Sequence, residues 1–356
     1  MQPWPLGPAI LFRMKYRVAV VLGLSLLPAL SADWSPRLAA DYMDARQQEW
    51  IAWPRANGGA KPCISCHTSV PYLLSRPALR KELGEKAPTS SETTLLASLS
   101  SRLDKKTPDG QALGVESVMA ALFLVRRDAP GKMSPETVQA FDRMWALQNR
   151  EGKAAGSWKW YITDLDPWEE PESDLFGAAM AALAVGATPP EYRQRPEVRE
   201  RIAALSAFIR GPHEPRPLQN WLTVAWASVR LPEIMDDTTR QKFIREILDK
   251  QQSDGGWSMQ SLGPWKTHAE APPATTASDA YATAFTAYVL EQTGMKPASE
   301  PRLQRALAWL RTHQDPKGGY WDSSSLNHKY PAGSVEIKFM RDAATGYATM
   351  ALLCAD

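Results

Sequence analysis

The chain has 356 residues, of which 41 are basic, 39 are acidic and three are cysteines. This near-neutral balance argues against nucleic acid as a partner, because nucleic-acid-binding domains concentrate basic residues in a patch or stripe. Three cysteines are also too few for a secreted domain that depends on disulfides. The length is sufficient for one large domain or two small ones.

The chain opens with the pattern of an export signal. A basic segment with Arg13, Lys15 and Arg17 precedes the apolar run 18–27, and small residues suited to cleavage follow. The apolar run is shorter than the roughly 20 residues that a membrane-spanning helix needs. We therefore predict a signal peptide over residues 1–32 and a periplasmic or otherwise exported protein with no integral membrane span after cleavage. Retention of the segment as a membrane anchor is the alternative.

Beyond the leader, two kinds of helix alternate along the chain. Segment 302–313 is typical of the first kind, since its apolar residues fall on a single stripe, whereas segment 279–291 is apolar nearly all round and rich in alanine. A helix with one apolar stripe lies at the surface, and one that is apolar on all sides is buried. We therefore predict outer helices near 36–53, 90–104, 135–148, 197–210, 239–251 and 302–313. We predict inner helices near 70–83, 114–126, 174–186, 219–230, 279–291 and 342–354.

The six predicted pairs follow one another in strict outer-then-inner order. Such pairs can close into a ring in which each pair buries its apolar face against its neighbours. We therefore predict an all-α fold, a single-domain (α/α)6 toroid over residues 33–356, with no sheet. The first inner helix is the least regular of the twelve, because Pro71 and Pro77 interrupt its pattern.

Three turns that follow outer helices share a Gln–Gly–Trp pattern. They run over Gln148–Trp158, Gln251–Trp257 and Gln314–Trp321. These turns resemble the QW repeats of squalene–hopene cyclases and of the related prenyltransferase α/α-toroid superfamily. The resemblance covers most of residues 115–356. It implies that each Gln caps an outer helix and that each Trp packs on that helix, tying neighbouring repeats together.

The catalytic parts of that superfamily are mostly missing from this chain. The Asp-x-Asp-Asp acid motif of the cyclases is approached only by segment 164–167, which lacks the last Asp and lies in a loop. Protein prenyltransferases bind zinc through Asp, Cys and His, but no suitable Cys follows Asp279, and Cys354 is expected to be a small core residue. Cyclase or transferase activity is therefore not expected. Asp279, like Asp174 and Asp342, begins an inner helix, where we expect an N-cap or, alternatively, an acid at a cavity mouth.

The most informative motif is Cys63-Ile64-Ser65-Cys66-His67, because Cys-x-x-Cys-His is the attachment signature of a c-type haem. Two thiols at this spacing can each form a thioether to one porphyrin, and the His that follows presents its imidazole to the iron. We predict one covalent haem c on segment 54–69, attached at Cys63 and Cys66, with His67 as the proximal ligand. A redox disulfide would need a βαβ pattern and a zinc site would need two more ligands; neither is found.

The haem motif stands between the first outer and the first inner helix, where later repeats carry their Gln–Trp turns. All outer-to-inner connections of a toroid lie at one end of the ring, so we expect the haem at that mouth, beside three long Trp-rich loops. A sixth ligand must come from a His, from a Met, or be missing. His328, in the loop of the last repeat, and His268 are the candidate distal ligands. Met259, Met340 and an open iron site are the alternatives.

A covalent haem in an exported protein predicts electron transfer to or from a periplasmic redox partner protein. The first alternative is a haem enzyme or sensor for a small apolar, isoprenoid-like ligand held in a cavity of the toroid. The second is a non-redox interaction scaffold in which haem serves as a structural staple. The expected lining of the cavity is aromatic and comprises Phe176, Tyr281, Phe285, Tyr288 and Tyr347. The cavity fails to form if small residues fill the centre, namely Ala178, Ala179, Ala182, Ala282 and Ala284.

Overall fold

The computed structural model describes residues 34–56, 61–103, 112–265, 273 and 275–355, so the predicted signal peptide lies outside the described residues. In this part of the chain there are thirteen α-helices and no β-strand longer than an isolated bridge. The helices are α1 (Pro36–Ala52), α2 (Ser69–Glu82), α3 (Ser90–Ser100), α4 (Ala112–Arg127), α5 (Pro135–Ala146), α6 (Ser173–Gly186), α7 (Pro190–Arg193), α8 (Pro196–Ile209), α9 (Leu218–Ser228), α10 (Asp237–Leu248), α11 (Ala280–Gln292), α12 (Pro301–Thr312) and α13 (Phe339–Ala355). None of the described helices is both long and apolar enough to cross a membrane.

Twelve of these helices are the predicted ones, in the predicted alternation of outer and inner. The outer helices are α1, α3, α5, α8, α10 and α12, and the inner helices are α2, α4, α6, α9, α11 and α13. Only one stripe of the outer helix α10 is buried, whereas every residue from Ala280 to Leu290 in the inner helix α11 is buried. Pro77 lies inside α2 without ending it. The additional helix, α7, is a single turn that begins at Pro190.

The inner helices pack in succession around the centre of the fold, and the outer helix α3 joins the two ends of the series by packing on α4 and on α1. Helix α4 packs on α6, α6 on α9, α9 on α11 and α11 on α13, and α13 then packs on α2 from the opposite end of the sequence. A glycine permits this last approach, because a Cβ at Gly346 would lie 2.5 Å from Cβ of Pro71. Helix α1 packs outside, against both α2 and α13. The fold is therefore the predicted single-domain (α/α)6 toroid.

The three Gln–Gly–Trp turns use one set of hydrogen bonds to join neighbouring pairs. In each turn the Gln amide donates to a glycine carbonyl of its own turn and to a carbonyl in, or just before, the next outer helix, at 2.7–3.1 Å. The donors are Gln148 to Gly156 and Arg201, Gln251 to Gly255 and Arg302, and Gln314 to Gly319 and Ser35. Each Gln side chain thus joins its own turn to the next outer helix.

Each tryptophan of these turns holds the outer helix that precedes it. The indole N–H donates to a carbonyl in the last turn of that helix at 2.7–2.8 Å, and all three indoles are fully buried. The pairs are Trp158 with Met144, Trp257 with Ile247, and Trp321 with Leu310. A buried indole with its N–H satisfied contributes a large apolar area without a desolvation penalty.

The third turn closes the ring between the two ends of the sequence. Oε1 of Gln314 accepts from the backbone N–H of Ser35 at 2.6 Å, and its Nε2 donates to the Ser35 carbonyl at 3.0 Å. Gly319 follows with a φ of 73°, and any Cβ there would overlap the backbone of Leu38 in α1. The last turn of the toroid and its first helix are therefore joined by the same contacts as internal neighbours.

Candidate functional site

The Cys63–His67 segment is fixed in place before α2 by hydrogen bonds from three elements. The Ser65 hydroxyl accepts from the backbone N–H groups of Thr68 at 3.2 Å and Ser69 at 3.0 Å, so it caps the start of α2. Nε1 of Trp50 in α1 donates to the Cys63 carbonyl at 2.9 Å. The side chain of Ser98 in α3 donates to the carbonyl of Pro62 just before the motif at 2.7 Å.

Cys63, Cys66 and His67 line one cavity, which we call the motif cavity. Its other walls come from α1, α3, α4 and the long loop after α5: Trp50, Leu99, Arg102, Val115, Glu116, Met119, Tyr161 and Glu169. The cavity encloses about 70 Å³, which is room for a few water molecules. The two thiols and the imidazole predicted to hold one group are therefore brought together at a single, nearly closed site.

His67 is held in one tautomer by a hydrogen-bonded relay. Its Nδ1 lies 2.9 Å from Oγ1 of Thr68, and the Thr68 hydroxyl donates to Oδ2 of Asp342 at 2.7 Å. Because a carboxylate only accepts, the Thr68 proton points to Asp342, and Oγ1 must accept the Nδ1 proton of His67. The lone pair of the neutral imidazole is then at Nε2, the nitrogen that remains for a metal. Burial lowers the pKa of His67 well below its usual value, which keeps the ring neutral.

Asp342, which we expected to be an N-cap, is instead the centre of a buried ionic network. It accepts from the Tyr42 hydroxyl at 2.8 Å, from Nε and Nη2 of Arg46 at 2.8 Å each, and from Thr68. Arg46 and Asp342 are each 4% exposed, so the Asp342 charge depends on this pairing, and Arg46 has one further charged partner, Glu49. Burial raises the pKa of the Asp342 carboxyl, and the Arg46 guanidinium opposes that rise and holds the group as a carboxylate.

The other two acids at the starts of inner helices have different roles. Asp279 is a true N-cap, since its Oδ1 accepts from the backbone N–H of Ala282 at 3.1 Å, and it also accepts from the Ser323 hydroxyl. Asp174 lies in the first turn of α6 and accepts from the backbone N–H of Trp160 at 3.1 Å, which anchors the loop before the helix.

A shell of aromatic rings excludes water from His67. Phe339 stacks on the imidazole with ring centroids 3.6 Å apart, Trp50 meets it edge-on at 5.0 Å, and Trp168 lies at 6.0 Å. Burial also raises the pKa of both thiols, that of Cys63 to about 11. The raised pKa values keep both thiols protonated. A reactive redox cysteine has a lowered pKa instead, so these two thiols do not resemble a redox-active pair.

The predicted distal ligands do not line the motif cavity where the structure describes them. Nε2 of His328 donates to the backbone carbonyl of Asp164 at 2.6 Å, and His268 lies outside the described residues. Met259 and Met340 are buried elsewhere in the core.

Met119 also lines the motif cavity, from α4, and was not among the predicted ligands. In the sequence it is one apolar residue in an apolar helix. The only signal for its position is its spacing of one helical turn from Val115, which places both residues on the same face of α4.

Four of the five aromatic residues predicted to line an axial cavity pack against one another instead. Tyr281 stacks on Phe285 at 5.8 Å, Phe285 meets Tyr347 at 4.7 Å, and Tyr347 meets Tyr288 at 6.2 Å. Phe176 is buried against Trp160. The five named alanines of the inner helices are also fully buried: Ala178, Ala179, Ala182, Ala282 and Ala284.

The tyrosines and Phe285 belong to a longer line of rings, which we call the aromatic column. It continues from Tyr281 to Trp168, 5.5 Å away, and from Tyr288 to Trp226, 5.1 Å away. Since Trp168 contacts His67, the column runs from the motif cavity through the centre of the ring.

The prediction that Cys354 is a small core residue is wrong, because Cys354 lies near the end of α13 and is exposed.

Comparisons with known proteins give a distant structural likeness. No family model matches the chain, and no curated protein matches it. Among solved structures, a polysaccharide lyase is similar to it with a TM-score of 0.49 and 12% sequence identity, over 90% of this chain and 97% of that one. Within the described residues, no group of three or more His, Cys, Asp and Glu side chains is arranged to hold a metal ion.

Proposed function

We propose that this protein is an exported electron-transfer protein, in which a squalene-cyclase-like toroid carries one haem c at Cys63, Cys66 and His67. The observation that carries the proposal is the tautomer of His67. The relay through Thr68 to Asp342 commits the proton to Nδ1 and leaves the Nε2 lone pair for iron. Hydrogen bonding of the non-ligating nitrogen is the usual companion of a metal-binding histidine.

The residues present fit a covalent haem in their chemistry. Two free, protonated thiols and a neutral imidazole line the same cavity. The volume of about 70 Å³ is smaller than a porphyrin, so attachment requires the wall from Tyr161 to Glu169 to move outward. That wall is a loop and not a helix, and loops are the segments that rearrange at the least cost.

Haem c, when bound, would supply a one-electron iron couple. Cys63 and Cys66 would hold the macrocycle and His67 would ligate the iron. Thr68 would keep the His67 proton at Nδ1, while Phe339 and Trp50 exclude water from the imidazole. A dry, apolar surrounding and a fixed proximal ligand are the features by which proteins set a haem potential.

Met119 and His328 are the described candidates for the sixth ligand. Met119 lines the motif cavity, whereas Nε2 of His328 is engaged with a backbone carbonyl and would first have to be released. We favour Met119 because it lines the cavity and needs no such release. Ligation by Met gives a higher reduction potential than ligation by two His, and the proposed partner is a periplasmic redox protein.

A haem enzyme or sensor for a small apolar ligand remains the second candidate function. It needs an apolar cavity next to an open iron position. The packing of Tyr281, Phe285 and Tyr347 on one another supports a filled centre and thus favours electron transfer. An interaction scaffold with haem as a structural staple is the third candidate, and it predicts that the haem-free protein does not fold.

The test is the visible spectrum of the protein made in a periplasm that matures c-type haem, after denaturation in alkaline pyridine. We expect the bands of a haem with two thioether bonds in the wild type and in Cys354→Ser, and their loss in the double variant Cys63→Ser/Cys66→Ser. Absence of covalent haem from the wild type would overturn the proposal. A low-spin reduced spectrum that carbon monoxide does not change supports electron transfer, whereas rapid carbon monoxide binding moves the enzyme or sensor to first place.

A further inference from the structure

The second mouth of the toroid, formed by the C-terminal ends of the inner helices, contains a concave surface separate from the motif cavity. Two adjoining cavities of about 140 Å³ and 660 Å³ share walls there, and together we call them the far-end cavity. The narrow part has walls of mixed character: its large apolar side chains are Leu74, Leu122, Leu183, Trp226 and Val229, and its polar ones are Arg126, Arg230 and Gln292. Cavities of this size with apolar walls and a few polar groups are typical of small-molecule sites.

Two arginines, Arg126 and Arg230, line both parts of the far-end cavity. Neither guanidinium makes a hydrogen bond or an ion pair with any residue that the structure describes. The neighbouring arginines of the same wall are paired: Arg80 with Glu92 at 2.6 Å and Arg193 with the Gly186 carbonyl at 2.9 Å. The two unpaired cations therefore differ from the other arginines of this wall.

Arg126 and Arg230 both reach solvent, and protein surrounds most of the Arg126 side chain. This partial burial lowers the pKa of Arg126; Tyr288 opposes the lowering, and the neighbouring Arg230 charge adds to it. Two like charges that face an apolar cavity repel each other, and an anion placed between them would remove that repulsion. Guanidinium groups bind carboxylates through two parallel hydrogen bonds, which gives both affinity and orientation.

We propose that the far-end cavity binds an organic carboxylate with an apolar tail, of the fatty-acid class. Arg126 and Arg230 hold the carboxylate at the junction of the two parts, and the tail lies in the narrow part against Leu122 and Trp226. The charges select an anion and the walls select an aliphatic chain, so neither inorganic anions nor neutral lipids satisfy both. The proposal does not rest on haem attachment, because the far-end cavity and the motif cavity share no lining residue.

The test is titration calorimetry of the full-length exported protein with dodecanoate below its micelle concentration. Dodecanol and dodecyltrimethylammonium serve as neutral and cationic probes with the same tail. We expect dodecanoate to bind at least tenfold more tightly than either. The double variant Arg126→Gln/Arg230→Gln should lose at least tenfold in affinity, whereas Arg150→Gln, which removes an exposed charge after α5, should bind like the wild type.

A second variant tests the tail site without changing charge. Leu183→Trp fills the narrow part of the cavity, and we expect it to weaken dodecanoate binding by a similar factor at an unchanged melting temperature. Equal binding of all three probes, or dodecanoate binding that survives the double arginine variant, would overturn the proposal. Failure of dodecanoate to bind the wild type would do the same, whether or not that protein carries haem.

Discussion

Asp342→Asn is the substitution that tests the link between the fold and the candidate haem site most directly. The change keeps the shape of the side chain but replaces one carboxylate oxygen by an amide that donates. Arg46, 4% exposed, then keeps Glu49 as its one remaining charged partner, and the Glu49 side chain is 37% exposed. Removing one partner from a buried ion pair costs about 3–5 kcal/mol. We expect a loss of that size in the free energy of unfolding.

The assay is urea denaturation of the wild type and the variant at pH 7, followed by redox titration of the haem-loaded proteins. Asp44→Asn is the matched control, because Asp44 also pairs with a buried arginine, Arg76, at 3.0 Å, and Arg76 likewise keeps a second carboxylate, Glu85. The two acids differ in burial, since Asp44 is 27% exposed whereas Asp342 is buried. We expect the control to lose less stability and to keep the wild-type haem potential. Asp342→Asn should change that potential, because Thr68 loses the acceptor that directs its proton.

A change of less than about 1 kcal/mol in the free energy of unfolding of Asp342→Asn, the net value of an ordinary hydrogen bond, would contradict a stabilising role for the buried Asp342–Arg46 pair. Equal changes of haem potential in Asp342→Asn and Asp44→Asn would refute the relay, since both would then act through general loosening. Thr68→Val separates the two effects, because it removes the His67 contact and leaves the Arg46 pair intact.

Three further outcomes follow from the structure. Gln314→Ala removes three hydrogen bonds at the ring closure and should cost about 1.5–4 kcal/mol, with faster amide exchange in α1; unchanged exchange there would contradict closure by this residue. Burial raises the pKa of Glu170 to about 8. Folding therefore favours the protonated form of Glu170. The free energy of unfolding of the wild type should fall by up to about 4 kcal/mol as the pH rises from about 4.5 to 8, and Glu170→Gln should reduce that fall in denaturation curves across this range. An equally large fall in the variant would contradict this role of Glu170. In haem-loaded protein Met119→Leu should open the iron to carbon monoxide whereas His328→Ala should not; the reverse result would make His328 the distal ligand.

Local sequence patterns were sufficient to predict the helices and their alternation. An apolar stripe and an all-apolar surface differ within a dozen residues, as in α10 and α11, so outer and inner helices are separable without tertiary information. The turn at Gln314 could also be predicted from the sequence, since its glycines and Trp321 stand at fixed offsets from the end of the preceding outer helix. Ring closure followed from the count of pairs.

The relay at the candidate site could not be predicted from local patterns. Asp342 meets Arg46 and Thr68 across almost the whole length of the sequence, and only the closed ring brings them together. Its place at the start of an inner helix matched the ordinary role of an N-cap, which Asp279 does fill. Met119 was missed for a similar reason, because a cavity-lining methionine and a core methionine have the same neighbours in sequence.

The aromatic column has a consequence for how the two mouths of the toroid relate. Trp168 touches His67 at one end, and Trp226 lines the far-end cavity at the other, with neighbouring ring centroids along the column no more than 6.2 Å apart. Close-packed rings repack together rather than singly. A ligand that shifts Trp226 would therefore also shift the packing around His67. By thermodynamic linkage, a ligand at either mouth then changes the free energy of binding at the other mouth by the same amount.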